Sequence, residues 1–368
     1  MTRSPLPPSG SDPSGTLPDL LPSSAEERRL KRQRLLTVLD ASGHDALWLT
    51  SPAALAWYLD GARVHTSLLG PPIAAVRVGR EGDLVRVFSN ELDRLVAEEL
   101  PTGIATEAVH WFDALVPAEP GTASEDSLAA ELRAARATLL PRERARFAEL
   151  GADAAAALTT ELSRARPDES ERSLAARVSA ALVALGADPA VIMVAGEHRL
   201  GLRHPLPTDA PLGRRAYVVI CARRRGVIVN ATRWIRFDAQ TPEERSREAG
   251  LHAVEATAFR TSRPGTPLRD VLAAIAEAYP RHGFAEDEWT RHHQGGAAGY
   301  AGRDPRAAPD STDIIQDGSA FAWNPTAPAQ KVEDTVLIDG GRVTVLTRDG
   351  TWPETVVDGV PRPLELEL

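Results

Sequence analysis

The sequence predicts an α+β protein in two parts, a small α/β domain followed by a larger domain of strand pairs and amphipathic helices. Length is the first reason: 368 residues exceed what one typical core fills and suit two domains. The second is an ordinary globular balance, 43% apolar and 25% charged residues. The third is periodicity, which switches between the four-residue stripes of helices and the short apolar runs of strands.

Residues 1–24 are rich in Pro, Ser and Gly and cannot bury enough surface to order themselves, so they are read as a disordered tail. From Ala25, AEERRLKRQRLLTVLDASG reads as a charged helix closed by Gly43. ALWLT, the run around IAAVRV, and DLVRVF read as strands, and NELDRLVAEEL as a helix through Leu92, Leu95 and Val96. These elements make a small domain over 25–115. PAEPGTASEDS, with its turn formers and charges, reads as a hinge within a linker over 116–140, which a helix from about Leu128 bridges.

The larger domain is expected over 141–368. Leu150, Ala154, Leu158 and Leu162 recur every four residues, the stripe of a packed helix. A second helix after Asp168 carries Leu174, Val178, Leu182 and Leu185. AVIMVA is a strand, and AYVVICA with GVIVNATRWI forms a hairpin turning at Arg223–Gly226. Thr241, Pro242 and Glu244 give an N-cap, a first-turn proline and a capping-box carboxylate. A further helix starts at Thr266–Pro267 and carries Val271, Leu272 and Ile275. FAWNP, VLIDGG and VTVLT then read as strands.

Composition narrows the function classes. A net charge of −9, with arginines scattered among acidic residues, argues against nucleic acid as a partner. The single cysteine, Cys221, excludes an intrachain disulfide and points to a reducing compartment. The N-terminus has no apolar h-region and no stretch approaches the ~18 apolar residues of a membrane span, so a cytoplasmic protein is expected.

Four segments, in order, carry a resemblance: GEHRLGLRHPLPTDAPLGRRAYVVI, RRRGVIVNATRWIRF, HHQGGAAGYAGRDP and FAWNPTAPAQKVEDTVLI. They resemble the pita-bread superfamily of methionine aminopeptidase, aminopeptidase P, prolidase and creatinase. SPAALAWYLDGAR resembles part of the creatinase-type N-terminal domain, so the likeness covers nearly everything after residue 25. It implies a C-terminal pita-bread domain preceded by a smaller α/β domain.

In those peptidases two divalent metals share two Asp, one His and two Glu, and polarise the scissile carbonyl. By the family spacing, Val219 and Asn230 stand at the Asp positions, Gly296 at the His position, and Asn324 and Glu333 at the Glu positions. Hard divalent ions need anionic oxygen or imidazole donors, so one carboxylate does not hold a metal pair. No metal and no cofactor are therefore expected. Cys221, beside Val219, reads as a buried strand thiol rather than a ligand.

The same resemblance implies a site from what is kept. His204 matches the substrate-binding or proton-shuttling histidine, and His292, next to His293, matches a second family histidine. Arg303 replaces another histidine, and Lys331 stands where an arginine is common. Creatinase has this fold, uses no metal and hydrolyses a C–N bond, and Arg63 resembles its N-domain arginine that reaches a neighbouring active site. The expectation is a metal-independent hydrolase or lyase acting on a C–N bond of a small polar molecule, working as a homodimer. His204, Glu333 and His292 are its expected catalytic residues, and Arg63, Asn230, Arg303, Asn324 and Lys331 bind substrate. Glu333, left without metals, is expected to pair with the cations of the cleft and to raise the pKa of His204. The alternatives are a catalytically inactive binding protein and, if the ligand alignment is wrong, an Xaa-Pro-type peptidase.

Overall fold

The computed structural model describes residues 24–368, so the tail expected over 1–24 lies, but for Ser24, outside the described residues. The first part opens with α1 (Ser24–Ser42), which ends where Gly43 takes the left-handed conformation at φ 71°. There follow β1 (Ala46–Leu49), α2 (Pro52–Tyr58), β2 (Ala74–Gly79), β3 (Gly82–Phe88), α3 (Leu92–Glu98), β4 (Ala105–Val109) and β5 (Thr122–Ser124). They form a five-stranded sheet ordered β4-β3-β2-β1-β5, parallel at both edges and antiparallel in the middle. β1 is buried along its whole length, as a short continuous apolar run requires.

The segment 116–140 is more than a hinge. β5 pairs with β1 and extends the first sheet, and α4 (Ala129–Ala137) packs on α1. Arg34 Nη1 fastens that contact by donating to the carbonyls of Ala135 and Thr138, each at 2.9 Å. Pro and Gly mark a change of direction, but local sequence does not tell whether the next residues find a sheet edge.

The main part begins with α5 (Pro141–Leu162) and α6 (Glu171–Ala184), followed by β6 (Asp188–Ala195), β7 (Arg215–Arg224) and β8 (Val227–Arg236). Leu150, Ala154, Leu158 and Leu162 are all buried, so the α5 stripe faces the core as its spacing predicts. The hairpin turns on Arg225 and Gly226, both left-handed (φ 47° and 82°), the pair of conformations that matches strand twist in a two-residue turn. A side chain at position 226 would sit 2.5 Å from Ala56 Cβ, so glycine lets the hairpin tip press onto α2.

Beyond it come α7 (Pro242–Thr261), α8 (Leu268–Arg281), β9 (Gly295–Ala298), β10 (Ser319–Trp323), β11 (Thr326–Ala327), β12 (Gln330–Lys331) and β13 (Asp334–Asp339). The chain finishes with β14 (Arg342–Val345), β15 (Glu354–Val357), β16 (Val360–Pro363) and β17 (Leu366–Glu367). Thr241 and Glu244 form the capping box of α7, with Pro242 in its first turn. The main sheet runs β6-β7-β8-β13-β10-β9, antiparallel throughout, with β14 joined to β13 and β17 running parallel to β8. One core packs α5 and α6 against the β6–β8 side, and a second packs α7 and α8 against β10 and β13. An antiparallel sheet flanked by two helix pairs is the pita-bread arrangement. No helix among the described residues is long and apolar enough to cross a membrane.

Candidate functional site

Strand register brings the five positions expected of a metal pair to one face of the main sheet. Val219 stands opposite Thr232 and Cys221 opposite Asn230. Asp334 pairs with Ala231, so Glu333 lies beside Thr232, whose amide donates to the Glu333 carbonyl at 2.9 Å. Thr335 faces Ala322, and Ala322 faces Gly296. Alternate residues of a strand share a face, so two adjacent rows result. One runs Val219, Thr232, Glu333, Asn324, and the next Cys221, Asn230, Thr335, Ala322, Gly296.

Glu333 is the anion of these rows, and its charge is already answered. Oε1 pairs with Arg303 and accepts from Asn324 Nδ2 at 3.3 Å. Oε2 accepts from Thr232 Oγ1 at 3.4 Å and lies 3.8 Å from Lys331 Nζ. Arg303 and Lys331 are thus both turned to Glu333, the pairing expected of the cations of the cleft. Burial lowers the pKa of the Lys331 ammonium, against the pull of Glu333.

The two asparagines are buried, and each has one unengaged end. Asn230 Oδ1 accepts from Cys221 Sγ at 2.9 Å, while its Nδ2 has no hydrogen-bond partner among the described residues. Asn324 uses Nδ2 on Glu333, and its Oδ1 has no partner there. Burial pushes the Cys221 thiol up to about 12, so it stays protonated and donates to the amide oxygen. Gly296 has φ 149°, and a Cβ there would lie 2.4 Å from the Pro305 carbonyl oxygen and 2.8 Å from the Ala307 nitrogen. The backbone of 305–307 therefore covers the spot where a side chain at 296 would start.

Three histidines gather at the mouth of this face. His204 comes from the loop before β7 and is exposed, while His292 and His293 lead into β9 and are buried and half-buried. His204 Nε2 and His292 Nε2 are 3.0 Å apart, and the His293 ring lies 5.8 Å from that of His204 and 4.3 Å from that of His292. Burial, and then the charge of Lys331, holds His204 below the ordinary imidazole range. The same two causes depress His292 far more, and burial with Arg303 brings His293 down to about 3. The expectation that Glu333 lifts His204 is overturned: Glu333 does pull upward, but desolvation and Lys331 outweigh it.

Of the expected site residues, His204, His292, Asn230, Arg303, Asn324, Lys331 and Glu333 surround this one region. Within one chain Arg63 stands elsewhere, its guanidinium paired with Glu99 of α3 at 2.6 Å and 64% exposed. Sequence reasoning missed Thr232 and Gln294. The Gln294 side chain donates to the His292 carbonyl at 2.7 Å and accepts from Tyr279 Oη at 2.8 Å, which fixes the histidine segment. It also missed the network behind Glu333. Asp334 accepts from Arg233 at 2.9 Å and lies 3.0 Å from Arg362, which also grips Glu255. The period of two was the available signal, since the neighbour of a cleft-facing Glu333 points to the opposite side. A cavity of about 250 Å³ between α4 and β10, lined by Ala134, Leu268, Ala298 and Phe321, contains none of the site residues.

The sequence profile of metallopeptidase family M24 matches residues 145–340. Among solved structures, the prolidase from Pyrococcus horikoshii OT3 superposes with a TM-score of 0.72 at 18% identity, covering 86% of this chain and 98% of that one. Dipeptidase PepE from Mycobacterium ulcerans gives 0.73 at 18% identity, covering 94% and 98%. The N-terminal domain of FACT complex subunit SPT16 from chickpea gives 0.65 at 13% identity, covering 88% and 97%. No curated protein matches the chain in sequence.

Proposed function

The chain belongs to metallopeptidase family M24, and from that premise we propose that it works without the family's pair of metal ions, as a hydrolase or lyase acting on a C–N bond of a small polar molecule. The observation that carries this reading is the state of Glu333. Two hard divalent ions need several anionic oxygens, and the five positions offer valine, asparagine, glycine, asparagine and one glutamate. That glutamate is neutralised by Arg303 and Lys331, so the chain's own cations stand where positive charge is wanted. The residues do not fit a metal pair.

What is left suits proton transfer to and from a neutral polar group. His204, depressed by burial and Lys331, is an unprotonated imidazole at neutral pH and acts as the general base. His292, 3.0 Å away, orients the His204 ring through the contact between their Nε2 atoms. The free amide N–H of Asn230 and the free amide oxygen of Asn324 offer one donor and one acceptor, the pattern an amide group complements. Burial makes each of those unmet groups costly until a ligand satisfies it.

A second reading, a binding protein without turnover, draws on the backbone cover over Gly296, which narrows the face where substrate would lie. One experiment separates the two, and also the metal-dependent Xaa-Pro peptidase. Chelator-treated protein is assayed against small amides, guanidino compounds and Xaa-Pro dipeptides, with and without added manganese. Cleavage of a small C–N substrate that chelator leaves unchanged and His204→Ala abolishes supports the proposal. Ligand binding without cleavage favours the binding protein, and Xaa-Pro cleavage that appears only with manganese favours the peptidase.

A further inference from the structure

We propose that His204, His292 and His293 form a mononuclear site for one divalent transition metal of the zinc class, separate from the five positions of the family's metal pair. The geometry is that of a site waiting for an ion. One ring nitrogen from each histidine lies within 4.8 Å of the other two, and the Nε2 atoms of His204 and His292 are 3.0 Å apart. Nitrogens at about 2.0–2.1 Å from a tetrahedral ion stand roughly 3.3 Å from one another. The pair is thus a few tenths of an ångström from ligand spacing, and the third ring needs a small approach.

The donors are held in place by the fold. The backbone of His292 is fixed by Gln294, whose side chain donates to the carbonyls of His292 at 2.7 Å and Trp289 at 2.8 Å, and Gln294 in turn is held by Tyr279. Neutral imidazole is the metal-binding form, and an ion would replace the contact between the two Nε2 atoms. Three nitrogens and no carboxylate favour zinc, copper, nickel or cobalt over magnesium, calcium or manganese. Lys331 and Arg303 lie near, but both are turned to Glu333, which offsets their charge. The exposed edge of His204 leaves the fourth position to water.

An ion held there takes up the nitrogens that proton transfer uses. Zinc then switches the metal-free reaction off, a consequence that rests on the proton role proposed for His204, whereas the binding itself does not.

Zinc is titrated calorimetrically into chelator-treated full-length protein, and cobalt is titrated with its visible d–d bands as a second readout. The expected result is one ion per chain with tetrahedral cobalt bands. His204→Ala, His292→Gln and His293→Gln should each weaken zinc by about tenfold or more, while Asn230→Ala, an uncharged change at one of the five positions of the family's pair, keeps the wild-type affinity. His204 is exposed, so its variant folds and keeps the test decisive. Absence of saturable binding, binding unchanged in His204→Ala, or binding lost in Asn230→Ala overturns the proposal. Turnover by the metal-free protein is read separately, so either idea can fail alone.

Discussion

Glu333 and Arg303 form an ion pair across the cleft, with side chains only 2% and 10% exposed. Removing one partner strands a charge in a poorly hydrated place. Arg303→Met is therefore expected to destabilise the protein by about 3 kcal/mol in urea unfolding, near the lower end of the range for broken buried pairs. Adding Glu333→Gln to that variant should recover part of the loss. Strictly additive effects would mean that the two side chains do not depend on each other.

The backbone of 305–307 covers Gly296, so a side chain placed there meets that backbone rather than the site. Gly296→Ala places a Cβ 2.4 Å from the Pro305 carbonyl oxygen at φ 149°. The expected cost is on the order of 2–3 kcal/mol or more, from overpacking and an adverse backbone conformation. A Gly296→His protein with an unchanged melting temperature would show that 305–307 yields readily.

Sequence made most of the main domain legible, because its signals are local. The hairpin at Arg225–Gly226, the capping box at Thr241 and Glu244, and the α5 stripe all depend on residues within a few positions of one another. The residues of β5 read as hinge because three residues carry no period, and only pairing with β1 makes them a strand. The site was legible through the family resemblance, which placed Val219, Asn230, Gly296, Asn324 and Glu333 at ligand positions, and the register then sets them on one face. Sidedness says nothing about charge balance. The pairing of Glu333 with Arg303 and Lys331 follows the expectation, but His204 is lowered rather than raised.

His252 supplies an acid-sensitive element away from the three clustered histidines. It lies buried on α7, and burial with the nearby Arg362 charge brings its pKa down to about 3. Its folded value lies below the unfolded 6.5, so as the pH falls the unfolded chain takes up the proton first. Its contribution to stability is whole above pH 6.5 and is lost between 6.5 and about 3. At pH 5 the loss from this one group is about 2 kcal/mol. His252→Gln should flatten the fall in stability between pH 7 and pH 5 by that amount in denaturant titrations. An unchanged slope would mean that His252 is protonated equally in both states.

Arg63 tests the assembly. Its guanidinium is exposed and paired with Glu99 on the small domain, apart from the Glu333 cluster. A homodimer in which that arginine meets the partner's cleft predicts the mass of two chains in light scattering. Arg63→Ala should then weaken ligand binding without changing the melting temperature by more than a few degrees, since an exposed pair contributes under about 1 kcal/mol. A monomeric mass would remove this role from Arg63.

Glu333, with its charge met by Arg303 and Lys331, is expected to take no part in a metal pair. Manganese prefers oxygen ligands and binds weakly to nitrogen-only sites, so it reports on the carboxylate positions rather than on the histidines. The direct measurement is manganese bound per chain at equilibrium, by elemental mass spectrometry after dialysis, in wild type and Glu333→Gln. Well under one ion per chain is expected in both proteins. Two manganese ions per wild-type chain, lost in Glu333→Gln, would contradict it.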